Sequence, residues 1–198
     1  MIMKNFLIII TFLFSLTHYS QDREECLTNL SIFAEYAKVK NYNEAYQPWL
    51  SLNSNCPDIN SAIYVLGEKM LISFVKNSND DQRSKYVNEL IDLYDNWIKF
   101  FPKSKRGQNE TGKILSMKAQ SLIDYNLASD IEIVNIFDEA FTNDPKSFKS
   151  PKRLYNYFKT YFKVYKSGEG DVTLEKLFNK YEDLTEKFEY EMDIYTNQ

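Results

Sequence analysis

Residues 26–57, CLTNLSIFAEYAKVKNYNEAYQPWLSLNSNCP, decide the fold class. In the first half Leu27, Leu30, Phe33, Ala34 and Ala37 recur at helical spacing, with Tyr36 beside them. Asn41-Tyr42-Asn43 then interrupts. Asn tolerates the left-handed conformation that ends a helix, and its side chain caps the next one. In the second half Ala45, Trp49 and Leu52 share a stripe, and Pro57 closes it because proline cannot continue a helix. The small Ala45 lets two helices approach, and Trp49 fills the space beside it. Pro48 sits early in the second helix, where it is expected to kink rather than break it. The stretch therefore reads as two antiparallel helices joined by a tight turn.

Cys26 and Cys56 bracket this hairpin and are the chain's two cysteines. An antiparallel pair brings the start of the first helix beside the end of the second, so a Cys26–Cys56 disulfide is expected. In the chain-entropy picture, closing a loop of about thirty residues stabilises by roughly 3–4 kcal/mol. The alternative is two unpaired thiols behaving as small hydrophobes.

The first twenty of the 198 residues differ from the rest. Lys4 precedes an apolar run from Phe6 to Leu16 interrupted by Thr11 and Ser15, and Thr17-His18-Tyr19-Ser20 follows. This is the layout of a secretory signal over 1–20, with cleavage expected between Ser20 and Gln21. The apolar run is too short for a comfortable membrane helix. A retained anchor is the alternative, since His18 stands where a small residue is usual. Lipidation at Cys26 is disfavoured because Arg23-Glu24-Glu25 precedes it. After cleavage no membrane span is expected. The formal net charge of -4 becomes more negative with loss of Lys4. An acidic chain gains no counterion-release drive toward nucleic acid, so no nucleic-acid partner is expected.

Beyond the hairpin the rhythm repeats. Ile63, Leu66, Gly67, Met70, Leu71 and Phe74 form one stripe, with Gly67 expected at a close helix approach. Asn77 to Asp81 reads as a long polar loop. Tyr86, Leu90, Leu93, Tyr94, Trp97 and Phe101 form the next stripe, closed by Pro102. Ile114, Met117, Ala119, Leu122 and Ile123 begin a third unit. Ile133, Phe137, Ala140 and Phe141 complete it before Pro145. Eight residues before Pro57, Pro102 and Pro145 stand the aromatics Trp49, Tyr94 and Phe137, a recurrence that marks an internal repeat. In the fourth unit Leu154, Tyr157, Phe158, Tyr161, Phe162 and Tyr165 step by three and four. The turn Ser167 to Asp171 separates them from a long final helix with Leu174, Leu177, Phe178, Tyr181, Leu184, Phe188, Met192 and Tyr195.

Ile32, Tyr36, Ala45, Trp49 and Pro57 resemble the tetratricopeptide-repeat pattern of aliphatic, aromatic, small, large aromatic and closing proline. Asn29 and Phe33 depart from it, where that pattern has a Trp and a small residue. The segments FAEYAK (33–38), Asn41-Tyr42, Ala45-Tyr46, Pro48-Trp49 and NCPDIN (55–60) resemble the N-terminal part of exported tetratricopeptide-repeat proteins of Bacteroidota. The likeness covers the first unit well and the later ones in rhythm. It implies an all-α, right-handed solenoid of about four antiparallel helical hairpins over 21–198, in approximate units 22–57, 59–102, 104–145 and 150–196. Tyr36, Ala45, Trp49, Pro57, Gly67, Tyr94, Pro102, Phe137, Ala140 and Pro145 would be its packing residues. It also implies a periplasmic or secreted protein of the bacterial cell envelope.

The residues offer little for catalysis. The single histidine, His18, lies in the leader, so a mature chain has no Ser–His–Asp or Cys–His arrangement and no histidine metal site. Asn77-x-Asn79-x-Asp81 departs from a calcium loop, with Gln82 and Asn88 where Gly and Glu belong. Gly168-Glu169-Gly170 lacks phosphate-loop spacing and a preceding strand. No cofactor or metal is expected. Lys152, Lys159, Lys163 and Lys166 form a basic stripe, and Glu175, Glu182, Glu186 and Glu189 an acidic one. Mutual pairing of the two, or a groove for an acidic peptide, would account for them. The final helix is expected to leave Phe188, Met192 and Tyr195 uncovered for a protein partner or a second copy.

The function expected is a non-catalytic scaffold for protein–protein interaction, with an unidentified protein partner in an envelope complex and self-association open. One alternative is an outer-membrane assembly or secretion accessory factor of helical-repeat type. The other is an envelope glycan hydrolase, which peptidoglycan turnover assays would separate.

Overall fold

The structure, a computed structural model, describes residues 23–196. The expected signal segment 1–20, with Lys4 and His18, lies outside the described residues, as do the side chains of Asp81 and Tyr195. Among the described residues there are eight helices and no strand; the extended contact is a single bridge between Lys103 and Asn109. Helix α1 covers 23–38. It is followed by α2 (Tyr42–Asn55), α3 (Ala62–Asn77), α4 (Asp80–Phe100), α5 (Thr111–Tyr125), α6 (Asp130–Asn143), α7 (Pro151–Ser167) and α8 (Leu174–Thr196). The chain divides into two compact units, one ending at Tyr86 and the other starting at Val87, inside α4.

In the first unit Cys26 and Cys56 are joined, with Cα atoms 6.0 Å apart. Asn29 Nδ2 donates to Ser51 Oγ at 3.2 Å, a second link between α1 and α2. Phe33 and Ala37 are buried from α1, and Ala45, Trp49 and Leu52 from α2. Tyr36 is half-buried, and Leu27 is exposed. The hairpin turns at Lys40, whose φ is 61°. Lys40 N–H bonds the Ala37 carbonyl and Asn41 N–H the Tyr36 carbonyl, at 3.2 and 2.9 Å. These two bonds satisfy carbonyls left free at the end of α1 and hold a Lys where an Asn was expected. Asn41 itself makes no side-chain cap. Helix α2 runs unbroken through Pro48.

Trp49 Nε1 donates to the Ile63 carbonyl at 3.1 Å, which ties α2 to α3 through a buried aromatic. Tyr64 OH donates to the Pro57 carbonyl at 2.8 Å, so the connection between these helices is pinned as well. Gly67 is buried on α3 and Pro57 is half-buried. The expected long loop at Asn77–Asp81 is instead two residues, Ser78 and Asn79. Asn79 Oδ1 accepts from Gln82 N–H at 3.2 Å. That cap draws Asp80 into the first turn of α4, where an acidic residue suits the helix dipole.

In the second unit α4 and α5 run antiparallel. Asp95 pairs with Lys118 at 2.6 Å, and Tyr94 OH lies 3.4 Å from Ser121 Oγ. Successive helices then cover one another, with α5 on α6, α6 on α7 and α7 on α8. Their shared core contains Leu115, Ala119, Ile133, Phe137, Ala140, Phe148, Leu154, Tyr157, Val164, Leu177 and Leu184. Tyr94 is buried with Trp97 on α4, whereas Pro102 is half-buried and Pro145 exposed, both just past helix ends.

A close backbone approach occurs at Gly112. A Cβ there would stand 2.2 Å from the Asp144 carbonyl oxygen and 2.9 Å from that of Ala140. The chain leaving α6 also caps α5. Gly112 N–H donates to Asp144 Oδ2 at 3.2 Å, and Lys113 N–H to Ser147 Oγ at 2.9 Å. Two free donors of a helix start are thereby satisfied by a segment more than thirty residues away. Ser104, which follows Pro102 by two residues as Ser147 follows Pro145, does something else and accepts from Arg106 and Gln108 N–H within its own loop. Replacing Gly by Ala in a helix ordinarily stabilises by up to about 1 kcal/mol. Gly112→Ala should do the reverse, lowering stability by about 1–3 kcal/mol through overpacking. Thermal and denaturant unfolding of the variant checks the sign.

Candidate functional site: the hairpin of α7 and α8

Helix α7 starts well, with Ser150 Oγ accepting from Arg153 N–H and Pro151 in the first turn. It ends at Gly168, with φ 72°, the left-handed cap that glycine adopts without a Cβ clash. The short turn that follows sends α8 back along α7. Leu154, Tyr157, Thr160, Tyr161 and Val164 are the buried face of α7, and Leu177, Leu184 and Glu191 that of α8.

A polar latch sits inside this packing. Tyr157 is fully buried, and its hydroxyl donates to Asp138 Oδ1 of α6. Lys180 of α8 reaches both, with Nζ 2.7 Å from Asp138 Oδ1 and 2.7 Å from the Tyr157 oxygen. The ammonium also lies over the rings of Tyr157 (5.0 Å), Tyr161 (5.4 Å) and Phe141 (5.9 Å). A lysine so placed is held by charge, hydrogen bonds and ring faces together. Neither Asp138 nor Lys180 announces itself in the sequence, because each looks like an ordinary exposed charge on an amphipathic helix. The cue available was their place beside Phe137, Tyr157 and Tyr161 on stripes that had to meet.

Burial pushes the Tyr157 hydroxyl far above its ordinary value, and the neighbouring Asp138 carboxylate adds to the shift. Tyr161 is raised by burial and then by Asp138. Tyr64, in the first unit, is raised by burial and then by Asp58. A tyrosine that holds its proton so firmly is a donor rather than a nucleophile or base. The latch ties α6, α7 and α8 to one another. Among the described residues, no group of three His, Cys, Asp or Glu is placed to hold a metal ion.

The expected partner residues lie as follows. Phe188 packs against the core of this unit and Met192 is half-buried, so these two are not the uncovered end that the sequence suggests. The difference arises because the core of this unit, which includes Phe148 from the connection after α6, extends to Phe188. The exposed apolar side chains fall earlier on α8, at Leu174 (53 % exposed), Phe178 (59 %) and Tyr181 (50 %), and on α7 at Phe162 (43 %). Tyr190 and Ile194 are exposed separately. Lys152, Lys159, Lys163 and Lys166 are all exposed. Lys163 pairs with Asp130 of α6 at 3.2 Å, not with a glutamate of α8. The Lys166 ammonium lies 5.9 Å over the Phe162 ring.

Each unit carries a concavity. A cleft of about 400 Å³ is lined by Phe141, Asp183, Glu186, Lys187 and Tyr190. In the first unit a hollow of about 300 Å³ opens beside the disulfide, lined by Glu25, Cys26, Asn29, Ser51, Asn55 and Cys56. Both are open and mainly polar or charged in lining residues. Comparison of the chain with family models, with curated proteins and with solved structures gives no match.

The raised tyrosines set a pH dependence. The folded chain keeps Tyr157 protonated at a pH where the unfolded chain ionises it. Its contribution is thus intact below the ordinary tyrosine pKa of about 10 and is lost as the pH rises beyond it. Alkaline titration followed at the phenolate absorbance should show a late fraction that ionises only as helical dichroism disappears. Tyr157→Phe should remove one tyrosine from that late fraction. An unchanged late fraction would contradict the burial of its hydroxyl.

Proposed function

We propose that this chain is a non-catalytic, tetratricopeptide-like scaffold that recognises another protein in the bacterial envelope. The observation that carries the reading is the exposed aromatic strip on the outer side of α7 and α8. Uncovered apolar patches with charged rims are characteristic of interaction surfaces. Its rigid support adds to the case, since the Tyr157–Asp138–Lys180 latch holds the two helices in one relation. The antiparallel packing of successive helices supports a solenoid of hairpins in the second unit, and the α1–α2 hairpin supports it in the first. Export to the periplasm or outside the cell is supported by the Cys26–Cys56 bond, which belongs to oxidising compartments. No helix among the described residues is long and apolar enough to cross a membrane. The firmly protonated Tyr157 supports a structural rather than a catalytic role for the most connected polar group.

Crosslinking in the native envelope tests the proposal. A photoreactive residue at Phe178 should trap a discrete polypeptide, and the same residue at exposed Val39, on the first hairpin, should not. Phe162→Ser combined with Phe178→Ser should abolish the adduct while leaving the melting curve close to wild type. Equal trapping from both positions, or measurable turnover of peptidoglycan by the pure protein, would contradict the scaffold.

A further inference from the structure

The charges beside the aromatic strip say what kind of surface fits it. On α7, Lys152, Lys159 and Lys166 recur every seventh residue, and on α8, Glu175, Glu182 and Glu189 do the same. Seven residues are nearly two helical turns, so each triplet makes a straight row along its helix. All six side chains are exposed. Phe158 of α7 and Tyr181 of α8 meet across the groove, with ring centroids 5.4 Å apart. Phe162 and Phe178 lie one turn along, on the solvent side of that contact. The face thus has an aromatic centre, a lysine row on one helix and a glutamate row on the other.

Resting on the reading of this hairpin as the recognition face, we infer that its occupant is a second copy of the same chain. A two-fold axis lying in the face, parallel to the helices and midway between them, lays α7 of each copy over α8 of the other. Aromatic strip then meets aromatic strip. The lysine row of one copy comes opposite the glutamate row of its mate, and symmetry repeats the match on the other side. The other two-fold, across the helices, would set α7 on α7 and lysine on lysine. The charge pattern therefore selects both the partner and the orientation. Helix α7, with 17 residues, is about 25 Å long, and two helices span about 20 Å, so roughly 500 Å² is covered per copy. The total of about 1,000 Å² is at the low end of specific interfaces, which implies a reversible dimer of micromolar affinity.

Sedimentation over a wide concentration range tests this, with circular dichroism and melting curves to verify that each variant folds. Wild type should show a monomer–dimer equilibrium. Lys159→Glu and Glu182→Lys should each weaken it about ten-fold or more, since symmetry doubles every lost contact. Both changes in one chain, or a mixture of the two single variants, should restore it. Monomer at every concentration, indifference to the charge reversals, or no restoration would each overturn the inference. A monomer that still traps a different polypeptide from Phe178 would overturn the second copy and leave the scaffold standing. A charge-switchable dimer that traps nothing else would support the second copy and contradict the wider scaffold role.

Discussion

Each helix of this protein is apolar along one side, and in the second unit it is the next helix in the chain that covers it. Helices α5 to α8 pack in sequence, α5 on α6, α6 on α7 and α7 on α8. Such packing needs close approach at defined points, and Gly112 against the carbonyls of Ala140 and Asp144 is one of them. The same crossing supplies the cap of α5 from Asp144 and Ser147. Close approach and capping thus depend on one another: a side chain at position 112 would push away the carboxylate that satisfies the helix start.

The all-helical class was legible because apolar residues recur at three and four throughout and glycine is scarce. Trp49 and Leu52 fall on one stripe and are both fully buried. The bond between Cys26 and Cys56 was expected from the antiparallel hairpin together with the export-like leader. Other features were less visible for identifiable reasons. The turn at Lys40 carries no glycine or asparagine at its left-handed residue; backbone bonds to Ala37 and Tyr36 hold it instead. The segment around Asn79 looked like a loop because its polar residues suit a loop and a helix start equally well. Phe188 was misplaced because periodicity gives the direction of a side chain around its helix, not what stands beyond it. The Lys180 latch combines residues from three helices and has no local signature.

Burial and exposure on the last two helices have separate consequences. Inward, Tyr157, Asp138 and Lys180 tie α6, α7 and α8 together. Lys180 is largely enclosed, so the ion pair with Asp138 is better shielded than the exposed pair of Lys163 and Asp130. Outward, the same two helices carry rows of opposite charge around aromatic side chains. A rigid backbone below such a surface lowers the ordering cost of recognition.

The account stands or falls on that outer face being where a second copy of the chain docks. Hydrogen exchange, read peptide by peptide in dilute and in concentrated protein, addresses it most directly. The account predicts that concentration slows exchange in α7 and α8, from about Tyr155 to Glu182, and leaves α1 to α3 unchanged. Protection that appears on the first hairpin, or no concentration dependence in α7 and α8, would contradict it.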